Sequence, residues 1–244
     1  MDAKQLSIVL VMMGLIPTFA TQAQFVQEKK ISDANSYVAY QEMNITVTES
    51  SSKTAIPADV RVKGLNPRKI VVMEDVQDTT FEIKNYRLYT VSCVQKGYMY
   101  YAEKFWPNES ELHEQNVNLI SIKTGLKTDV RDITFLGDKT EIYHKSREAL
   151  GEIIEWLDLN PGVKIAVIGH VNGPDEAKKE RFYRKASEER AQSVVNHLVK
   201  NGISESRLVV KGGGNSEMLF QNPTTDWQTE ANRRIEIEVI EFRK

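Results

Sequence analysis

Two polar residues frame the chemistry this chain can offer. Asn172 lies in the turn Gly169-His170-Val171-Asn172-Gly173, and Arg190 lies in Ala186-Ser187-Glu188-Glu189-Arg190-Ala191. A guanidinium can grip a carboxylate through two hydrogen bonds, and a side-chain amide can accept one from an ammonium. A small ligand carrying both charges is what such a pair would hold, because each charge taken out of water must find a partner. The competing reading of Arg190 is a solvated arginine paired with Glu188 or Glu189. Enzymatic readings do poorly. His113, His144, His170 and His197 show no metal-ligand spacing, and no acid or cysteine cluster joins them in sequence. His170, at a strand end beside Gly169, reads as a structural hydrogen-bonder. Gly212-Gly213-Gly214 lacks the Gly-Lys-Ser/Thr ending of a phosphate loop, and no Gly-x-Ser-x-Gly elbow occurs. Cys93, the single cysteine, sits in the apolar run Leu88 to Val94 and reads as a buried core thiol.

The elements that must position Asn172 and Arg190 follow from periodicity. Val163 to Ile168 is a short, β-branched apolar run opened by Pro161-Gly162, which predicts a buried strand. Ala191, Val194, Val195 and Leu198 form the stripe of an amphipathic helix, ended by Asn201-Gly202. Upstream, Val130 to Phe135 reads as a first strand, and Leu150, Ile153, Ile154 and Leu157 mark a helix that Pro161 stops. Arg207 to Val210 gives a third strand, then a long polar loop runs to Glu230 before the alternating strand Ile235 to Ile240. Two helices packed on one face of a mixed sheet satisfy this order.

Four fragments carry a resemblance: Ile-Gly-His-Val-Asn-Gly (168 to 173), Ala-Ser-Glu-Glu-Arg-Ala (186 to 191), Asn-Gly-Ile (201 to 203) and Asn-Arg-Arg-Ile-Glu-Ile (232 to 237). In this order, from near Asp129 to the end, the chain resembles the C-terminal OmpA-like domain. That resemblance implies a βαβαββ fold and a non-enzymatic role in tethering envelope proteins to peptidoglycan. The ligand it implies is the diaminopimelate of the stem peptide, held between an aspartate after the central strand and an arginine in the second helix. Arg190 matches that arginine. Asn172 stands where the family has the aspartate, so the charge-assisted part of an ammonium contact is lost. Tyr183 stands at the family's loop asparagine, and the loop is longer than usual, with Asp175 and Glu176 in or near the added stretch as candidate replacement carboxylates. Arg233 and Arg234, before the last strand, and Asp138, after the first, also carry over as pocket positions. Their plainer readings are an edge-strand cation and a turn-forming aspartate.

The rest of the chain sets the context. With 244 residues, 41% hydrophobic and 27% charged, the composition suits one large or two modest domains. The net charge of −2 excludes a general polyanion binder, and the basic run Lys178 to Lys185 is interrupted by Glu180, so no nucleic-acid partner is expected. Lys4, the apolar run Leu6 to Ala20 and Thr21-Gln22-Ala23 read as a secretory signal over 1 to 23, with a retained anchor as the alternative. No cysteine near the cleavage site could take a lipid, and no transmembrane segment is expected in the mature chain. A polar lead-in follows over 24 to 43.

From Asn44 to residue 128, short β-rich segments at 45–48, 60–62, 70–73, 80–83, 88–94, 99–102 and 117–122, separated by turns, predict a β-sandwich. Its Thr54 to Val60 and Tyr89-Thr90-Val91 to Lys96-Gly97-Tyr98 segments resemble the carboxypeptidase regulatory-like, transthyretin-type sandwich, which implies a spacer or contact surface for envelope proteins. The whole is expected to be α+β, a sandwich followed by an OmpA-like domain over 129 to 244. It is placed in the periplasm, alone or associated with the outer membrane. No cofactor is called for. The alternative is a degenerate OmpA-like module that scaffolds an envelope complex without holding the wall.

Overall fold

A computed structural model describes residues 40–65, 68–84, 88–105, 107, 112–130, 132–136, 139–173 and 180–243. The signal segment 1–23, and Asp138, Asp175 and Glu176, lie outside the described residues.

Seven strands fill the N-terminal half: β1 (Tyr40–Glu49), β2 (Ala58–Leu65), β3 (Arg68–Val76), β4 (Asp78–Lys84), β5 (Tyr89–Cys93), β6 (Tyr101–Phe105) and β7 (Leu112–Leu119). They form two sheets, β4-β1-β7 and β3-β2-β5-β6. Alternation explains the packing: Met43, Ile45 and Val47 are fully buried, while Asn44 and Thr46 on the opposite face are only partly so. Both sheets feed one core, in which β1 residues meet Val60 and Val62 of β2, Phe81 and Ile83 of β4, Val91 and Cys93 of β5, and Val117 of β7. Burial pushes the Cys93 thiol up to about 12, so it stays protonated and inert at neutral pH. The first strand starts at Tyr40, inside the expected lead-in.

The C-terminal half runs β8 (Lys127–Val130), α1 (Arg147–Leu159), β9 (Val163–His170), α2 (Glu180–Lys200), β10 (Leu208–Gly214), α3 (Asp226–Asn232) and β11 (Ile235–Phe242). Its sheet has the order β10-β9-β11-β8, with β9 and β10 parallel and β11 antiparallel to both its neighbours. Ile165 and Val167 of β9 and Ile235 and Ile237 of β11 share a core with Leu150, Ile153 and Trp156 of α1 and Ala191, Val194 and Leu198 of α2.

Two expectations are corrected here. The first strand ends at Val130 instead of running from there to Phe135, because Asp132 takes a positive φ of 65° that turns the chain out of the sheet. Asp132 then accepts a hydrogen bond from Thr90 and an ion pair from Lys104. The loop before the last strand contains α3, opened by a capping box in which Thr225 and Gln228 satisfy each other's backbone amides. The order is therefore βαβαβαβ, with the βαβαββ pattern interrupted by one short helix.

The halves meet along a polar seam. In β2 and β5 the residues facing away from the N-terminal core are Arg61, Lys63, Thr90 and Ser92, and α1 lies across them. Glu152 of α1 is 5% exposed and Lys63 is 4% exposed. The Lys63 ammonium lies 2.8 Å from Glu152 Oε1, Ser92 donates to the same oxygen at 3.0 Å, and the buried Tyr100 hydroxyl donates to Oε2 at 2.9 Å. One turn further, Arg61 reaches both oxygens of Glu155 at 2.8 Å. At the helix end Trp156 donates to the Tyr98 carbonyl, and the Gly97 amide donates to Asn160, each at 2.8 Å. Val94, Met99, Tyr100 and Ile122 complete the seam by entering the C-terminal core, and β8 straddles the boundary expected at residue 129.

A second buried charge group closes the end of the C-terminal sheet. Arg234 and Glu236, each 8% exposed, pair at 2.6 Å, and Arg234 also donates to Asp129 at 3.1 Å. His170 Nε2 lies 3.2 Å from the other Glu236 oxygen, close enough to attract it but poorly aligned for a hydrogen bond. Burial alone would raise the Glu236 pKa; contacts and charge from His170 and Arg234 outweigh it and hold the group at about 2.

Two measurements test these contacts. Glu152→Ala leaves the Lys63 ammonium buried and unpaired, so urea unfolding should show a loss of about 3–5 kcal/mol, largely restored by adding Lys63→Met; a loss below about 1 kcal/mol refutes the seam as drawn. Glu236 has a folded pKa below its unfolded value, so its stabilisation is complete above about pH 4.5 and disappears as pH falls through about 2. That depression corresponds to about 3 kcal/mol, and stability measured from pH 5 to pH 2 should fall less steeply in Glu236→Gln; an unchanged slope would contradict the assignment.

Candidate functional site

The Asn172 turn begins where β9 leaves the sheet. The His170 amide donates to the Arg234 carbonyl at 2.9 Å, the Val171 amide donates to the Gly214 carbonyl at 3.0 Å, and Asn215 Nδ2 donates to the Gly173 carbonyl at 2.7 Å. The turn is thus tied to both neighbouring strands, and its backbone is fixed without help from a ligand.

α2 lies directly on this end of β9. A Cβ at Gly169 would stand 2.0 Å from the Ser187 carbonyl oxygen, so only glycine permits that backbone approach, and one at Gly173 would stand 2.7 Å from the Tyr183 ring, which would have to shift. Tyr183, Ser187 and Arg190 therefore share the helix face turned toward β9, at the i, i+4, i+7 spacing. Ser187 fastens the contact by donating to the Arg184 carbonyl at 2.8 Å and accepting from the Gly214 amide at 2.9 Å. Arg190 is 7% exposed, with its guanidinium carbon 5.4 Å from the centroid of the Phe135 ring. The solvated arginine allowed by the sequence is excluded: Glu188 and Glu189 are exposed while Arg190 is buried.

The remaining candidates separate. Asn172 is half-buried and accepts a hydrogen bond from Asn232 at 2.8 Å. Arg233 lies at the surface, 3.0 Å from Glu230. Arg234 belongs to the Asp129–Glu236 group, so its charge is committed within the sheet end. Asp138 falls outside the described residues. Sequence reasoning passed over Asn232, which is fully buried and holds both the Asn172 side chain and the backbone of Phe220. Its only signal was its place as the first residue of Asn-Arg-Arg. The Phe220 ring in turn meets Trp227 at 5.0 Å, edge to face, and Trp227 is 62% exposed.

Among the described residues, His170, Glu217 and Glu236 bring ligand atoms within 4.8 Å of one another, an acid grouping around a histidine that sequence spacing hid. Lys127 already lies 3.5 Å from Glu217 and 3.9 Å from Glu236, and Arg234 holds the other Glu236 oxygen. Two cationic side chains thus already lie on these carboxylates, while both His170 nitrogens and Glu236 Oε2 are buried without a hydrogen-bond partner among the described residues.

Residues 134–233 match the model of the OmpA family. Outer membrane protein A of Bordetella avium is 30% identical over 113 residues, 46% of this chain and 56% of that protein. Outer membrane porin F of Pseudomonas fluorescens is 32% identical over 110 residues, 44% of this chain and 32% of that protein. The chain thus spans just over half of the first of these relatives and about a third of the second. Among solved structures, the peptidoglycan-associated lipoprotein from Burkholderia pseudomallei is 17% identical, with a TM-score of 0.39 over 43% of this chain and 86% of that one. The OmpA-like domain of FopA1 from Francisella tularensis is also 17% identical, with a TM-score of 0.39 over 65% of this chain and 78% of that one. The stretch from residue 134 to residue 233 is an OmpA-like domain.

Proposed function

We propose that this chain is a non-enzymatic protein of the cell envelope that associates with peptidoglycan through its OmpA-like domain. The site is the face between the Asn172 turn and α2, with Arg190 gripping a carboxylate of the stem peptide. The N-terminal two-sheet half, read as a transthyretin-type sandwich, is the surface for envelope partners, and the periplasm is the compartment. No helix among the described residues is long and apolar enough to cross a membrane.

The observation that carries the reading is the placement of Arg190. Arg190 is buried, and its guanidinium carbon stands 5.4 Å from the centroid of the Phe135 ring, on the helix face that carries Tyr183 to the Asn172 turn. That arrangement pre-orders the side chain, so a carboxylate can be held by two parallel hydrogen bonds with little further loss of side-chain freedom. The second reading, a scaffold that no longer holds the wall, draws on Asn172, which puts a neutral amide where the family places a carboxylate.

Sedimentation with purified sacculi separates the two. The wild-type chain should pellet with sacculi, Arg190→Ala should lose at least tenfold in apparent affinity, and Asn172→Asp should bind more tightly. If wild type and Asn172→Asp both stay in the supernatant, the scaffold reading replaces this one.

A further inference from the structure

His170 is 2% exposed, and among the described residues neither of its ring nitrogens has a hydrogen-bond partner. The structural hydrogen bond expected of a histidine at this strand end is therefore missing, although buried side-chain polar atoms in folded proteins are mostly satisfied. The ring is nevertheless held in place. The Gly213 backbone packs on its Nδ1 edge, where a Cβ would stand 2.8 Å from Nδ1 and Cε1, and Nε2 lies toward Glu236. The Glu236 carboxylate is divided in its duties: Oε1 accepts from Arg234 at 2.6 Å, while Oε2 is buried without a hydrogen-bond partner among the described residues. Nε2 and Oε2 stand 3.2 Å apart, yet lack the alignment a hydrogen bond needs. Glu217, on the loop after β10, brings a third ligand atom, and all three lie within 4.8 Å of one another.

We propose that His170, Glu217 and Glu236 form a binding site for a divalent transition cation of the zinc class. One imidazole nitrogen and two carboxylate oxygens suit zinc, whereas calcium and magnesium prefer oxygen alone and gain nothing from the histidine. A cation about 2.1 Å from both Nε2 and Oε2 would see them about 100° apart across their 3.2 Å separation, close to tetrahedral coordination. It would sit off the line joining the two atoms, which agrees with their misalignment as a hydrogen-bonded pair. Glu217 reaches the cation by a side-chain rotation, for which its exposure leaves room, and water takes the fourth position. Arg234 keeps its hold on Oε1 and so positions the ligating carboxylate. The charge balance is favourable. Asp129, Glu217 and Glu236 share Lys127 and Arg234 between them, one acid in excess. The Lys127 ammonium, 3.5 Å from Glu217 and 3.9 Å from Glu236, is the cation that zinc displaces, and its half-exposed side chain can turn into water. Bound zinc would tie β9, β11 and the loop after β10 together.

Isothermal titration of the full chain with zinc chloride tests this, with circular dichroism checking the fold of each variant. Wild type should bind one zinc ion per chain and should not bind calcium at the same concentration. Glu217→Ala, a change at an exposed position, should weaken zinc binding by roughly tenfold or more, and Lys127→Ala, which removes the competing ammonium, should tighten it. Nitrogen NMR of wild type should show the His170 ring resonances moving with added zinc while those of His113, His144 and His197 stay in place. The proposal is overturned if wild type binds no zinc, if Glu217→Ala binds it unchanged, if Lys127→Ala weakens it, or if another histidine responds instead of His170. None of these results bears on peptidoglycan association, which the sacculus experiment tests separately.

Discussion

The contact on which the functional half depends is the backbone approach of α2 to β9, where Gly169 lies against the Ser187 carbonyl with no room for a side chain. Because that distance is set by backbone atoms, the helix is held at a fixed height above the strand end, and Ser187 ties it to the Gly214 amide of the neighbouring strand. The same face of α2 then carries Tyr183 to the turn and Arg190 against Phe135. A helix that rode higher on larger side chains would leave Arg190 in water, where its attraction for a carboxylate would be weak.

The seam between the halves shows how a polar sheet face can become an interior one. Thr90, Ser92, Lys63 and Arg61 would ordinarily face solvent, and their alternation with Val60, Val62 and Val91 is that of a one-sided sheet. Here α1 lies across them and supplies Glu152 and Glu155 as matched anions. The desolvation of Lys63 and Glu152 is offset by a close ion pair and two neutral donors, so the seam fixes the orientation of one half on the other more than it adds stability. The N-terminal half is thereby joined to the OmpA-like domain by buried polar contacts as well as by the chain.

The Asn172–Asn232–Phe220 cluster fixes the side chain of the turn. Asn172 brings a neutral amide, and buried hydrogen bonds through Asn232 determine how that amide is turned. The charged residues nearby have other duties: Arg234 and Glu236 stabilise the end of the sheet, and Arg233 pairs at the surface. Sequence proximity to the family motif did not distinguish these arginines, because Arg233 caps the end of α3 while Arg234 lies buried just before β11.

Local chemistry in the sequence was sufficient for β9, for the stripes of α1 and α2, for the glycine turn and for the strand pattern of the N-terminal half, since apolar periodicity and turn residues act over a few positions. It also marked Asn172 and Arg190 as candidates. It did not set the end of β8, where the turn at Asp132 is held by Thr90 and Lys104 from the other half. Nor did it reveal α3, whose Thr225 and Gln228 cap lies in an otherwise polar loop with a weak apolar stripe. The amide orientation of Asn172, the burial of Lys63 and the grouping of His170 with Glu217 and Glu236 were decided by tertiary structure alone. Each depends on partners tens of residues away, and no local pattern records which distant side chain will arrive at a buried polar atom.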